Sequence, residues 1–311
     1  MPTRTSPTRK MSSGVVNGRQ TTPFTMVTTL LHLMVILSQL LHCLGFSYDQ
    51  ASNHGPSRWG SFNKMITSCK TGSQQSPVMI TTNTAKRIPI TDLSYNRTHP
   101  IMGVFRNNGH APQFIPDTGS NNELILKNVP ELVPNDFVFC DLHFHIGASS
   151  NNGPEHILSN HANISGEVHL VHWKRDGHTP TLSAALRDPN GLAVVALFFN
   201  VIEDCQGETD RIIQQYVSRI KDVDETKQGY INPVRLYPNR RYYTYRGSLT
   251  TPPCSEIVRW ILFETPITIC RKSFKILQNM ETDEEGSVAL SVFGNVRPVQ
   301  RRDVTGLKKN F

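Results

Sequence analysis

Residues 137–146 read Phe-Val-Phe-Cys-Asp-Leu-His-Phe-His-Ile, and residues 166–173 read Gly-Glu-Val-His-Leu-Val-His-Trp. Both are apolar runs with polar residues at alternate positions, the signature of strands rather than helices. Successive side chains on a strand point to opposite faces. Asp141, His143 and His145 therefore share one face, and Leu142 and Phe144 the other. In the second run Glu167, His169 and Val171 face one way, with Val168, Leu170 and His172 opposite. If the two strands enter one sheet, three imidazoles converge from rigid backbone. Three protein nitrogens with a fourth position open form the pattern of a catalytic zinc site, whereas a structural site closes all four positions and favours cysteine. Simple alternation also produces H-x-H pairs, so the surroundings decide. Asp141 stands two residues before His143, and Glu167 two before His169. Each can be the acceptor that a metal-bound imidazole needs on its second nitrogen, and solvated acids would otherwise be out of place in strands this apolar.

Working outward, further short apolar runs at residues 123–126, 192–202 and 257–263 lie between Gly, Pro and Asn punctuation. Helical periodicity is confined to residues 209–222 and 271–278. With 38% hydrophobic and 18% charged residues the chain is globular, and its 20 Gly and 20 Pro exclude a coiled coil or helical bundle. No repeat or linker interrupts residues 47–300. The fold class is a strand-dominated α+β single domain with a few short peripheral helices, followed by a loose basic tail over residues 301–311 that lacks the apolar end of a lipid-anchor signal.

The net charge of +7 raises nucleic acid or an acidic surface as a partner. Its position argues otherwise. Arg4, Arg9, Lys10 and Arg19 give residues 1–45 a charge of +4, since no acid precedes Asp49. Arg301, Arg302, Lys308 and Lys309 against Asp303 give the tail +3, which leaves residues 46–300 formally neutral. No helix-turn-helix, zinc-finger spacing or basic–aromatic strand platform is present, so no nucleic-acid partner is expected. The basic N-terminus precedes a Leu-rich run at residues 26–46, interrupted by His32, Ser38, Gln39 and His42. This pattern predicts a secretory signal over residues 1–46, cleaved near residues 45–48, and a secreted protein. The alternative is an uncleaved signal anchor, giving a type II membrane protein with an extracellular domain. Membrane association is expected only in that case. Asn96-Arg97-Thr98 and Asn163-Ile164-Ser165 are glycosylation sequons, which fit either route.

Taken with Gln75-Ser76-Pro77, Asn108-Gly109-His110, Pro154-Glu155-His156, Gly191-Leu192-Ala193-Val194, the run Tyr245-Arg246-Gly247-Ser248-Leu249-Thr250-Thr251-Pro252-Pro253 and Arg297-Pro298, the two histidine strands resemble an α-class carbonic anhydrase of the secreted type over nearly the whole domain. The resemblance implies a large, mostly antiparallel twisted central sheet. It also implies Zn2+ as cofactor, carbon dioxide and bicarbonate as small-molecule substrates, and a monomer. The implied activity is reversible hydration of carbon dioxide by zinc-bound hydroxide, serving pH regulation and one-carbon metabolism. His143, His145 and His169 match the zinc ligands, with Asp141 and Glu167 behind them. Thr250 matches the residue that links the hydroxide to a buried carboxylate, here Glu155. Val171, Val194, Leu249, Thr251, Val258 and Trp260 match the substrate pocket. His110 matches the proton shuttle, with Asn108 and Tyr48 near its water chain. His156 and Tyr245 match buried support behind Glu155 and Thr250. Asp141 departs from the family's usual neutral glutamine, and a carboxylate there would raise the pKa of the bound water. Cys69 and Cys254 match a disulfide of secreted and membrane-bound members. Cys43 falls in the signal. Cys140 is expected free and inert, facing the core on the side opposite the ligands, and a Cys205–Cys270 bridge is left open. Catalytically silent relatives act as binding ectodomains, which is the alternative function.

Overall fold

Residues 166–175 are buried on both faces over most of the strand, polar side chains included, so the strand is covered on both sides. That pattern recurs through the centre of the computed structural model, which describes residues 45–311 except 90, 91, 120, 149–152, 285, 303 and 305. The expected signal or anchor and Cys43 lie outside the described residues. Fifteen strands are described: β1 (Met79–Ile80), β2 (Lys86–Arg87), β3 (Ser94–Tyr95), β4 (Ile101–Asn107), β5 (Pro112–Pro116), β6 (Ile125–Lys127), β7 (Asp136–Ile146), β8 (Ile157–Leu158), β9 (Gly166–Arg175), β10 (Leu192–Ile202), β11 (Thr226–Ile231), β12 (Tyr242–Gly247), β13 (Val258–Phe263), β14 (Ile267–Cys270) and β15 (Lys308–Lys309). Thirteen form one sheet in the order β11-β4-β5-β7-β9-β10-β13-β12-β15-β2, with β14 beside β10 and with β3 and β6 off β7. Most pairings are antiparallel. The sheet is nevertheless mixed, since β10 runs parallel to β13 and β14, and β15 to β2.

Two apolar clusters cover the sheet's two faces. One takes Leu142, Phe144, Val168, Leu170, Ala193, Val195 and Ile261, and the other takes Val138, Val194, Val258, Trp260 and Leu262. The register of β7 on β9 shifts between Phe139 and Asp141. Phe137 and Phe139 belong to the first cluster, as do Leu142 and Phe144, and strict alternation would have put the latter pair on the opposite face. Cys140 is the extra residue of a β-bulge, which reverses the alternation downstream. The bulge therefore turns Asp141, His143 and His145 toward the second cluster. It also corrects the expectation for Cys140. The thiol is free and buried as expected, but it sits in the second cluster on the ligand side, donating to the Val171 carbonyl at 3.4 Å.

The helix at Arg271–Gln278 lies where periodicity predicts it. The one expected over residues 209–222 is shorter, spanning Gly207–Gln215, and then tightens into a 3-10 turn at Val217–Arg219. The tighter turn brings Val217 and Ile220, three apart, onto one side, and both are fully buried. The tail is not loose. Leu307 and Asn310 are buried, and β15 closes the free edge of β12. The Asn310 side chain accepts from Tyr242 N–H and donates to Arg240 C=O. A basic composition hid one apolar and one amide anchor. At the other end Phe46, expected as the last residue of the signal, packs against Tyr48 and Trp59 and so belongs to the domain. Two disulfides are present, Cys69–Cys254 and Cys205–Cys270, and the second settles the pairing left open. Among the described residues no helix is long and apolar enough to cross a membrane.

Candidate metal centre

Pairing of β7 with β9 sets His143 directly opposite His169, and His145 opposite Glu167. One ring nitrogen from each of His143, His145 and His169 comes within 4.8 Å of the others. The remaining nitrogens are each held by an acceptor. His143 Nδ1 lies 3.2 Å from Asp141 Oδ1, His145 Nδ1 donates to the Asn295 carbonyl at 2.7 Å, and His169 Nε2 donates to Glu167 Oε1 at 2.8 Å. Those bonds assign the free nitrogens as Nε2, Nε2 and Nδ1. His145 Nε2 is buried without a hydrogen-bond partner among the described residues. An orphaned buried nitrogen aimed at two further imidazoles fits a three-nitrogen zinc site.

Burial pushes the His145 imidazole well below its usual range, and the neighbouring histidines add to this. Burial also lowers His169, to about 4, against the opposing pull of Glu167. Both rings are thus neutral at physiological pH, the form that binds metal. Burial alone would raise the Glu167 carboxyl, but His156 and His169 outweigh it and hold the group far below the carboxylate range. Glu155 behaves in the opposite way. Burial raises it well above the usual value and Glu167 adds to this, while Thr250 and Arg297 favour the charged form. The Arg297 N–H donates to Glu155 Oε1 at 3.1 Å, and Oε2 has no aligned donor among the described residues.

The support network differs from expectation in one respect. His156 bonds through N–H and Nδ1 to Glu167, not to Glu155, and its Nε2 meets the Tyr245 hydroxyl at 2.6 Å, which in turn meets Ser76 Oγ. His156 and Tyr245 therefore stand behind His169. A second candidate cluster of His156, Glu167 and His169 is this same hydrogen-bonded chain. Val194, Val258 and Trp260 are buried in one apolar wall, with Val171 and Leu249 packed against it; the Trp260 ring centroid lies 4.9 Å from His169. Thr250 and Thr251 follow β12 in a turn closed by Cys254 N–H donating to Thr251 C=O. His110 stacks on Phe46 with centroids 4.2 Å apart, and its Nδ1 is 3.0 Å from Asp283 Oδ1. Tyr48 is buried, which pushes its phenol far up, and lies edge-on to His110. Asn108 accepts from the His110 and Ala111 N–H groups, so it shapes that turn. Both sequon asparagines, Asn96 and Asn163, are exposed.

Sequence reading missed three residues. Asn295 orients His145 and donates to the His110 and Phe144 carbonyls. Gln113 donates to Asp141 Oδ2 at 2.8 Å. Arg297 is buried and bonds Gln75, Ser76 and Cys69. Only Arg297 had a signal, the Arg-Pro motif; the contacts of the others are fixed by chain segments far apart. An apolar cavity of about 80 Å³ beside Cys140 and Trp173 contains none of the three histidines.

The model of the eukaryotic-type carbonic anhydrases matches residues 54–309. The chain belongs to that family. It is 30% identical to carbonic anhydrase 7 of Mus musculus over 274 residues, covering 87% of this chain and 98% of the relative. A putative carbonic anhydrase 3 of Caenorhabditis elegans is 29% identical over 264 residues, 82% of this chain and 93% of the relative. A nacrein-like protein of Mytilus californianus is 27% identical over 314 residues, 79% and 96% respectively. Carbonic anhydrases of this family act on carbon dioxide and bicarbonate and typically bind zinc, and the three-histidine cluster suits such an ion.

Proposed function

We propose that this carbonic anhydrase is catalytically active, hydrating carbon dioxide reversibly to bicarbonate and a proton, with zinc held by His143, His145 and His169. The observation that carries the reading is the convergence of three imidazole nitrogens, each backed by its own acceptor. Zinc at these nitrogens would supply hydroxide at neutral pH by lowering the pKa of water from about 15.7 to about 7. Asp141, the Asn295 carbonyl and Glu167 fix tautomer and ring direction, so the three lone pairs stay aimed at one point. Thr250 beside Glu155 is suited to donate its hydroxyl proton to the carboxylate, which leaves its oxygen as an acceptor facing the cleft. Carbon dioxide carries no charge to grip, and the wall of Val171, Val194, Leu249, Val258 and Trp260 offers it apolar contact, with Thr251 at the edge. One proton leaves per turnover, and His110 is the group we assign to carry it, since an imidazole titrates near neutrality.

Two disulfides fit an oxidising compartment, and we assign the protein to the secretory route, as a monomer glycosylated at Asn96 and Asn163. The test is zinc content together with carbon dioxide hydration. We expect one zinc per chain and activity abolished by an aromatic sulfonamide. A preparation with one zinc but inert toward carbon dioxide would overturn the enzymatic reading and favour a silent binding ectodomain.

A further inference from the structure

The sheet edge formed by β13, β12, β15 and β2 places cations opposite cations. Lys308 pairs with Lys86, Lys309 with Arg87, and Arg246 with Arg259. Like charges directly opposite on neighbouring strands are destabilising, and here three rungs repeat the arrangement. Laterally paired residues share a face. Thr244, which pairs with Lys308, is two residues from Arg246 on the same strand. Lys86, Lys308, Arg246 and Arg259 therefore lie on one face, across four adjacent strands about 4.8 Å apart. Among the described residues one carboxylate, Glu131, reaches these cations, bonding Arg259 at 2.8 Å and also Lys308. Lys86, Arg87 and Arg246 are exposed. Arg246 makes one long bond, to the Pro189 carbonyl at 3.4 Å, and Arg302 packs behind it, donating to its carbonyl.

Arg259 is only 5% exposed and is neutralised by Glu131, so the cations this face offers to a partner are Lys86, Lys308 and Arg246. Composition places the excess charge of residues 301–311 in a loose tail. Because β15 is docked, that charge is instead fixed beside Lys86 and Arg87.

We propose that this edge binds a linear sulfated polysaccharide. Two rungs of fixed cations on one face, a two-residue step apart along the strands, suit a flexible chain bearing closely spaced sulfates. A sheet edge is too narrow to lay many charges on a flat membrane. The two disulfides fit the compartment in which such polysaccharides occur.

The test uses the full folded chain and heparin at physiological salt. The native protein should bind, and log affinity should fall linearly with log salt. The variant Lys86→Glu/Arg246→Glu should bind at least about tenfold more weakly, with a salt slope smaller by about two. The control Lys64→Glu/Lys227→Glu carries the same change in net charge on exposed residues elsewhere and should stay within about twofold of native. Carbon dioxide hydration should be unchanged in both. The edge variant should melt no lower than native, because a carboxylate in place of Lys86, opposite Lys308, turns a repulsive rung into an attractive one. Independently of any variant, bound heparin should protect Lys86 and Lys308, but not Lys64 or Lys227, from amine acetylation read by mass spectrometry. Equal losses in both variants, no binding by the native chain, or preference for phosphatidylserine vesicles over heparin would each overturn the proposal.

Discussion

Replacing Cys69 and Cys254 together by alanine removes a cross-link between residues 185 apart, and replacing Cys205 and Cys270 removes one between residues 65 apart. In the chain-entropy model these closures restrict the unfolded chain by about 5 and about 4 kcal/mol at 25 °C. The longer loop therefore exceeds the shorter by about 1 kcal/mol. Packing widens the gap. Cys254 is fully buried and Cys69 nearly so, whereas in the second pair Cys270 is buried and Cys205 exposed. The first variant loses one more buried sulfur, which adds about 0.5 kcal/mol of transfer and cavity cost. Equilibrium urea unfolding should thus rank native above Cys205/Cys270→Ala, with Cys69/Cys254→Ala last by a further ~1.5 kcal/mol. Both variants should show a larger m value, since an unfolded chain without its cross-link exposes more surface.

The same pair separates stability from activity. The Cys254 carbonyl accepts from Gln75 Nε2, Arg297 donates to the Cys69 carbonyl, and Arg297 N–H holds Glu155. The Cys69–Cys254 bridge thereby ties the Thr250 turn to the Glu155 carboxylate. Its loss should lower kcat for carbon dioxide hydration even at temperatures where the variant is fully folded. Loss of the second bridge, which joins the start of Arg271–Gln278 to the segment after β10, should leave kcat unchanged. Equal stability losses, a reversed order, or a kcat effect confined to the second variant would refute this reasoning.

Asp141→Gln should shift the pKa of the pH–rate profile downward by up to about one unit, because it removes a negative charge adjoining His143; an unchanged or raised value would count against Asp141 as the cause. Glu155→Gln should cut kcat/KM by about a hundredfold or more while leaving zinc content intact, as it cancels the acceptor proposed for Thr250. Val194→Tyr should obstruct the apolar wall, lowering carbon dioxide hydration with full metal occupancy by atomic absorption. His172, whose ring is lowered to about 3 by burial, gives an acid signature. It is neutral when folded and protonates in the unfolded chain below about 6.5, so its contribution is intact above that pH and is lost progressively toward pH 3, on the order of 5 kcal/mol in all. His172→Phe should flatten the urea midpoint against pH across that window, despite a fixed penalty for removing one of the two partners of the Tyr95 hydroxyl, which keeps Tyr237.

What the sequence discloses and what it hides follow from the range of the interactions. Period-two alternation and short apolar runs are local signals; the first located β7 and β9 with their histidines, the second β10 and β13. The acceptors for His143 and His169 lie two residues away on the same strand, so they could be read. The acceptor for His145 is the carbonyl of Asn295, 150 residues on. A backbone oxygen has no side-chain signature, and its position depends on the path of the whole C-terminal third. The Cys205–Cys270 pairing and the docking of β15 are also long-range. Composition misled in the second case because Leu307 and Asn310 supply the burial while the lysines beside them stay partly exposed.

The bulge at Cys140 connects these two ranges. Alternation alone groups Asp141, His143 and His145 correctly with one another, but it cannot say which of the sheet's two coverings they meet. From Phe137 and Phe139, counting by twos assigns the histidines to the side of Phe137, where they would meet Leu124, Leu126 and Tyr216 instead of Trp260 and Val194. One unpaired residue reverses that assignment. Deleting Cys140 removes the unpaired residue and makes the Phe139–His172 and Asp141–Val171 pairs consecutive, so both registers survive: the phenylalanines keep the first cluster and the imidazoles the second. The deletion should therefore retain zinc binding, with stability lowered only by the loss of one buried thiol, about 1 kcal/mol, and with no gain in binding of a hydrophobic dye. Loss of zinc, or new dye binding, would mean that the bulge does more than reverse the alternation and that its local twist also aims the imidazoles.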